Sequence, residues 1–346
     1  MLTEKEIKKI KDALKTSKRP IYFFDDDPDG LASFLLLYRY LREGQGYPVK
    51  TKPKITKNIF AKKVKDYEAD CVFILDIAMV DQDFVDEVKV PIYWIDHHEL
   101  QEVQGVNYFN PLKNGESIPT SALCWQAVQD ERAEDLWIAT VGCVGDWYMP
   151  SFAEILQQAY PSLLPDYADT PETALFETEF GELVKVFSFI LKGSTKEVRQ
   201  SIKVITRINE PYEILGQHTP AGKYLYKRYK QIKEEYDKLL DRAMKTKPKK
   251  GIILFTYTTN TISLTKDLAN ELLYRFKDKV IILAREKSGD MRCSLRSPKK
   301  INLLQKMRKA MQGIEGYYGG HEHACGANIK QQDFKRFVKQ LEEELK

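Results

Sequence analysis

Thiols are scarce in this chain. Its five cysteines, Cys71, Cys124, Cys143, Cys293 and Cys325, are scattered, odd in number and never arranged as C-x-x-C. That argues against a disulfide framework and reads as reduced thiols of a cytoplasmic protein. No apolar run reaches the roughly 18 residues a membrane helix needs, so no membrane partner is expected. The charged start, Met1-Leu2-Thr3-Glu4-Lys5, lacks the apolar core of an export signal. Low-complexity tracts and internal repeats are missing too. Histidine is nearly so: of five, four fall in two tight sets, His97-His98 and His321-x-His323.

What is present is ordinary globular material, 43% apolar and 30% charged over 346 residues, long enough for two domains. Charge is unevenly spread. Residues 251–346 hold 18 Lys+Arg against 11 Asp+Glu, a local excess of +7 within a net charge of +4. The more acidic first part suits metal ions and the basic last part suits an anion.

Three short apolar runs punctuate the first hundred residues: Ile21–Phe24, Cys71–Leu75 and Pro91–Ile95. Runs apolar on both faces and separated by helical spacing indicate a parallel α/β sheet. The helical stretches include Leu31–Arg42, Asn58–Tyr67 and Asp83–Val88. Each strand ends in an acidic or imidazole group: Asp25 onward, Asp76, and Asp96-His97-His98. In such sheets ligands gather beyond the carboxyl ends of the strands. Further helices are expected at Ser121–Val128 and Glu134–Val144, and 151–244 reads as mostly helical. Lys245-Thr246-Lys247-Pro248-Lys249-Lys250 is a basic linker. Beyond it, strands at Gly251–Tyr257, Val280–Ala284 and Met291–Leu295 alternate with helices at Lys266–Phe276, Asn302–Met311 and Phe334–Leu345. That is a second, smaller α/β domain over 251–346.

The densest chemistry is Asp25-Asp26-Asp27-Pro28-Asp29-Gly30. Carboxylates this crowded disfavour one another's ionisation, and a divalent cation reverses that sign. A calcium loop is excluded, because its twelfth position needs a bidentate Glu and here is Leu36. An acidic strand end running straight into a buried helix remains.

These residues resemble, in order, the four motifs of the DHH phosphoesterases: Asp25-x-Asp27-x-Asp29-Gly30, then Asp76, then Asp96-His97-His98, then Gly142-x-x-Gly145-Asp146. Gly319-Gly320-His321-x-x-Ala324-x-Gly326 resembles the glycine-rich signature of the accessory domain that follows the DHH domain. The motifs span residues 25 to 326. Their form is most similar to RecJ-like exonucleases of the small archaeal type. The oligoribonuclease, cyclic-dinucleotide and pyrophosphatase branches carry a His four residues before the middle Asp, where this chain has Phe23.

The resemblance implies a parallel-sheet DHH domain with a helical extension over 1–244, and a substrate-binding domain over 251–346. The active site would lie in the cleft between them. It implies two metal ions, Mn²⁺ with Mg²⁺ as an alternative. One would be held by Asp27 and Asp76 with help from Asp25; the other by Asp29, Asp76, His97 and Asp146, with Asp76 bridging. Oxygen-rich ligation with one imidazole independently suits Mn²⁺ or Mg²⁺ rather than structural zinc. Two such ions can activate a water and stabilise both oxygens of an in-line phosphoryl displacement. His98 would stabilise phosphoryl charge and Asp96 would orient its neighbours.

In the second domain the glycine-rich loop Gly319-Gly320, which permits close backbone approach, would meet the substrate together with His321. Arg292 and Arg296 share a strand face by alternation and, with Ser297, resemble the accessory domain's arginine-bearing strand. Arginine suits forked phosphate contact. His323 and Cys325 receive no role. The function implied is a metal-dependent exonuclease on single-stranded DNA or RNA, which could dock on a helicase or replisome partner. The alternatives are a phosphodiesterase for very short oligonucleotides or cyclic dinucleotides, and a replication or repair scaffold without chemistry.

Overall fold

The computed structural model describes residues 1–50, 54–258 and 262–345. Contacts divide the chain into two compact units, Met1–Tyr229 and Lys230–Lys346. The division falls inside the long helix Pro220–Met244, so the second half of that helix belongs with the C-terminal unit. The basic stretch expected as a linker, 245–250, lies just beyond the helix.

Strands of the first unit are β1 (Pro20–Asp25), β2 (Gln45–Val49), β3 (Lys54–Ile55), β4 (Cys71–Leu75), β5 (Met79–Val80), β6 (Ile92–Ile95) and β7 (Asn107–Phe109). Five form one sheet in the order β2-β1-β4-β6-β7, and every pair in it is parallel. The three expected strands occupy its centre. One face packs Ile21, Phe23, Val72, Ile74, Ile92 and Trp94 onto Phe60, Val64, Phe84 and Val85. On the other face Tyr22 and Phe24 meet Phe34 of the helix Pro28–Leu41, the Phe24 and Phe34 rings stacking at 4.9 Å. Sandwiching on both sides explains why the central strands read as unbroken apolar runs.

The helix Pro28–Leu41 begins at once after β1, because Asp27 caps it through Oδ1 to the Gly30 amide at 3.0 Å, and Pro28 takes its first position. It packs against the helices Thr120–Val128 and Leu136–Gly145. Gly142 allows the approach: a Cβ there would lie 2.5 Å from Ser121 Oγ and 2.7 Å from the Ala32 Cβ. Residues 151–244 form six further helices.

The second unit contains β8 (Ile252–Thr258), β9 (Val280–Lys287), β10 (Asp290–Arg296), β11 (Gly316–His321) and β12 (Ala324–Lys330), ordered β11-β12-β10-β9-β8. Only β8 and β9 pair in parallel; the others are antiparallel. One face is closed by the helices Leu303–Ala310 and Gln331–Glu344, through Leu303, Met307, Phe337 and Leu341 on Met291, Cys293, Leu295 and Ile329. Gly319-Gly320, expected as part of a loop, instead lies within β11. Backbone pairing of Gly319 with Gly326 and Gly320 with Cys325 accounts for the change.

Candidate metal centre

Every first-unit strand that the sequence singles out delivers its polar group to the carboxyl rim of the parallel sheet. Asp25 ends β1, Asp76 follows β4, and Asp96 follows β6 with His97 and His98 behind it. Asp76 adopts a left-handed backbone (φ 58°), unusual for a residue with a Cβ and tolerated best by Asp and Asn. Its amide donates to the Ile95 carbonyl at 3.0 Å, which pins that turn to β6. Asp146 sits at the C-terminal end of the helix Leu136–Gly145. A carboxylate there faces the negative end of the helix dipole, a placement that is unfavourable without a cation nearby.

Ligand atoms converge in two groups, each within 4.8 Å: Asp25, Asp27 and Asp76, and Asp76, His97 and His98. Asp76 belongs to both. His97 Nε2 lies 3.2 Å from Asp76 Oδ1 and 3.6 Å from Asp146 Oδ2. His98 is held differently. Its Nδ1 lies 2.8 Å from Asp96 Oδ1, and its backbone amide donates to Asp96 Oδ2 at 3.1 Å. Asp96 is fully buried and fixes the imidazole through Nδ1.

Asp29 is placed apart from both groups. The Thr120 amide donates to its Oδ2 and the Ser121 amide to its Oδ1, each at 2.9 Å, and the Ser121 hydroxyl also donates to Oδ1. The free amides at the start of the helix Thr120–Val128 thus take up the carboxylate expected to face a metal. Asp146 also lies outside the two groups, 3.6 Å from the nearer His97 nitrogen. Ser121 and Asn110 are the residues that sequence reading misses. Asn110 donates from Nδ2 to the His98 carbonyl at 2.9 Å and caps the Leu112 amide. Its one signal is the Asn110-Pro111 pair, a helix-start pattern with no chemistry in it.

The electrostatics fit a cation. Burial pushes the Asp76 carboxyl well above its usual range, and the charges of Asp29, Asp27, Asp25 and Asp146 push it further. Burial and then the Asp146 charge raise Asp29 to about 6. For His98, burial is the largest influence and lowers the pKa; the Asp96 hydrogen bond and charge, with Asp146 and Asp25, outweigh it and carry the imidazole to about 9. Among the described residues Asp76 Oδ1 is buried without a hydrogen-bond donor. A buried acceptor among like charges is costly unless paired, and an oxygen-rich, imidazole-containing donor set suits a hard divalent ion.

The remaining expected residues belong to the C-terminal unit. Arg292 is exposed on β10. Arg296 is buried, its Nε donating to Asn270 Oδ1 at 2.5 Å and Nη1 to the Leu295 carbonyl at 2.8 Å. Ser297 donates to the Ile301 carbonyl and is part of a turn. Gly319, Gly320 and His321 are exposed along β11. His323 is within 2.9 Å of the Ile301 carbonyl, and Cys325 is buried.

A parallel α/β sheet whose carboxyl rim gathers carboxylates and imidazoles, joined to a second domain built on a mixed sheet, defines a class of two-domain proteins with a divalent-cation site. Residues 21–145 match the model of the DHH family, N-terminal domain, and residues 250–346 match the DHHA1 domain. The chain belongs to the DHH family, RecJ-like in its pairing of the two domains. No curated protein matches it. Among solved structures it is similar to RecJ in complex with Mn²⁺ from Thermus thermophilus, with 15% identity, a TM-score of 0.69, and 99% of this chain and 54% of that one covered. This chain therefore spans about half the length of that RecJ. An exonuclease RecJ bound to manganese gives 16% identity and a TM-score of 0.60, covering 99% of this chain and 93% of that one. An exopolyphosphatase-related protein from Bacteroides fragilis gives 16% identity and 0.58, covering 99% and 98%. At these identities the likeness is one of fold.

Proposed function

We propose that the chain is a metal-dependent hydrolase of phosphodiester bonds, acting as an exonuclease on single-stranded DNA or RNA. The observation that carries this reading is the sharing of buried Asp76 between two groups of ligand atoms. Asp25, Asp27 and Asp76 would hold one divalent ion; Asp76 and His97, with Asp146 nearby, would hold a second. Mn²⁺ or Mg²⁺ fits the donors, and RecJ structures of the same fold are solved with each. Asp29 acts on this site through the helix Thr120–Val128 that it anchors. When bound, the ion pair supplies a water of lowered pKa and stabilises the oxygens of an in-line displacement.

The chain's own residues do the rest. Asp96 holds His98 through Nδ1 and favours the imidazolium, which would stabilise charge on a non-bridging phosphoryl oxygen. Asn110, bonded to the His98 carbonyl, fixes the backbone behind that ring. Asp146 draws on the cation to offset its place at a helix C-terminus. The test is Mn²⁺-dependent digestion of end-labelled single strands by wild type and Asp76→Asn. Asn keeps the left-handed backbone and the shape, so a loss of at least ~10³-fold in rate reports the missing charge. Near-normal digestion by the variant would defeat the assignment. Cleavage confined to very short RNA would replace the long-strand reading with the oligonucleotide phosphodiesterase.

A further inference from the structure

We infer that the free edge of β8, with the cavity beside it, is a docking site for an acidic, extended segment of a partner protein. The segment would add to the C-terminal sheet as a further strand and seat an apolar side chain in the cavity. This goes beyond the proposed hydrolase and needs no metal ion. Strand order leaves β8 at one edge of the sheet, paired with β9 alone. The Val280 amide donates to the Gly251 carbonyl at 3.0 Å, and along a strand the peptide groups turned toward one neighbour alternate with those turned away. Ile253, Phe255 and Tyr257 therefore bond toward β9, while Ile252, Leu254 and Thr256 turn outward. Ile252 is already taken, because the preceding turn folds back and Lys249 and Ile252 exchange N–H···O bonds at 2.9 and 3.0 Å. Leu254 and Thr256 have no such partner among the described residues. Each leaves a donor and an acceptor for another chain.

The side chains along that edge open onto a cavity of about 390 Å³, within the roughly 300–1,000 Å³ of ordinary ligand clefts. Alternation puts Ile252 and Leu254 on the face closed by the helix Gln331–Glu344, and Phe334 and Val338 of that helix complete an apolar floor. The basic stretch 245–250, which has no part in the metal centre, supplies the rim. Lys247 and Lys249 come from it, and Lys335 joins them from the helix. All three are exposed, and among the described residues none forms an ion pair. The acid in the lining, Glu342, is already engaged by Lys250 at 3.0 Å.

Charge and shape select the occupant. Three unpaired ammonium groups around an apolar floor match a segment that alternates carboxylates with apolar side chains. A second copy of this chain would bring the same lysines to the edge and be repelled by them. A nucleic-acid strand would satisfy the lysines, but it has no apolar side chain for Phe334 and Val338. Nor has it a peptide ladder to match Leu254 and Thr256. An acidic peptide answers the edge, the floor and the rim together.

The test is selection from a display library of peptides of about ten residues, the upper length of an ordinary strand, on the full chain in EDTA. The enriched peptide is then synthesised with a fluorescein label and its binding read by anisotropy. Enriched sequences should alternate Asp or Glu with large apolar residues and lack Lys and Arg. The double variant Lys247→Glu with Lys249→Glu, both exposed, should bind the peptide at least ~10-fold more weakly. Thr256→Pro removes an outward amide and leaves the β9 ladder alone, and should weaken binding at least ~5-fold. Thr256→Ala keeps the amide and should bind as wild type does. Enrichment of no peptide, or of basic ones, would overturn the inference, as would an acidic peptide that binds the lysine double variant as tightly as wild type. A single-stranded oligonucleotide that displaces the peptide and holds Thr256→Pro as tightly as wild type would make the rim a nucleic-acid surface, and would overturn it as well.

Discussion

At the scale of single residues, Asp76 shows a site opposing the stability of its own fold. It is buried, has no hydrogen-bond donor at Oδ1 among the described residues, and is surrounded by four other carboxylates. Asp76→Asn should therefore raise the melting temperature of the metal-free protein while abolishing its stabilisation by Mn²⁺. Such opposition is common where a function requires strain. A variant melting below the metal-free wild type would contradict this electrostatic account. Asp96 works one step removed. Asp96→Asn leaves the proposed ligands Asp25, Asp27, Asp76 and His97 untouched but weakens the grip on His98 Nδ1, so kcat should fall roughly 10–100-fold with Mn²⁺ affinity, read by calorimetry, little changed. An equal collapse of metal affinity would make Asp96 a support of the whole rim rather than of one ring.

Among elements, the turn from β1 into the helix Pro28–Leu41 depends on Gly30. A Cβ at that position would stand 2.5 Å from the Asp25 carbonyl oxygen and 2.6 Å from its amide nitrogen, clashes that a rigid backbone cannot relieve. Gly30→Ala should displace Asp25 and Asp27 together and remove Mn²⁺ stabilisation even if the protein folds, which a melting curve with and without the ion would reveal. The ion pair of Arg39 and Asp135 at 2.8 Å holds the same helix at its far end, both groups buried and Arg39 also reaching the Ile208 carbonyl. Arg39→Ala strands Asp135 with Arg132 alone and should cost about 3–5 kcal/mol, measurable by denaturant titration.

The sequence is legible where these elements are central. β1, β4 and β6 are covered on both faces and so carry uninterrupted apolar runs, and their ends point to Asp25, Asp76 and His97. β2 is not legible. It lies at the sheet edge and contains Pro48 and Gly46, where a Cβ would meet the Phe34 ring at 2.5 Å. β7 has three residues, too few for a period. β11 is masked by its glycines, since an exposed edge strand has no buried face to betray it. The capture of Asp29 by the Thr120 and Ser121 amides is tertiary, between residues some 90 apart, and no local pattern encodes it.

For the whole molecule, the two units carry different chemistry, and that difference can be read in one experiment. Every group that gathers at the sheet rim, from Asp25 to Asp146, belongs to Met1–Tyr229, and Arg292, expected to meet the substrate, belongs to Lys230–Lys346. All four tryptophans, Trp94, Trp125, Trp137 and Trp147, lie in the first unit. Tryptophan fluorescence therefore reports that unit alone, while far-ultraviolet circular dichroism reports both. An ion held only by the native first unit adds about 2.7 kcal/mol at a hundredfold excess over its Kd. Mn²⁺ should move the fluorescence melt upward and only part of the dichroism melt, leaving a second component where EDTA leaves it. The reciprocal ligand, a single-stranded oligonucleotide in EDTA, should move the dichroism component that fluorescence does not see. If both signals shift together with either ligand, the helix Pro220–Met244 transmits unfolding across the boundary and the chain melts as one cooperative body. If Mn²⁺ moves neither, the carboxylates at the rim hold no ion and the hydrolase proposal fails with them.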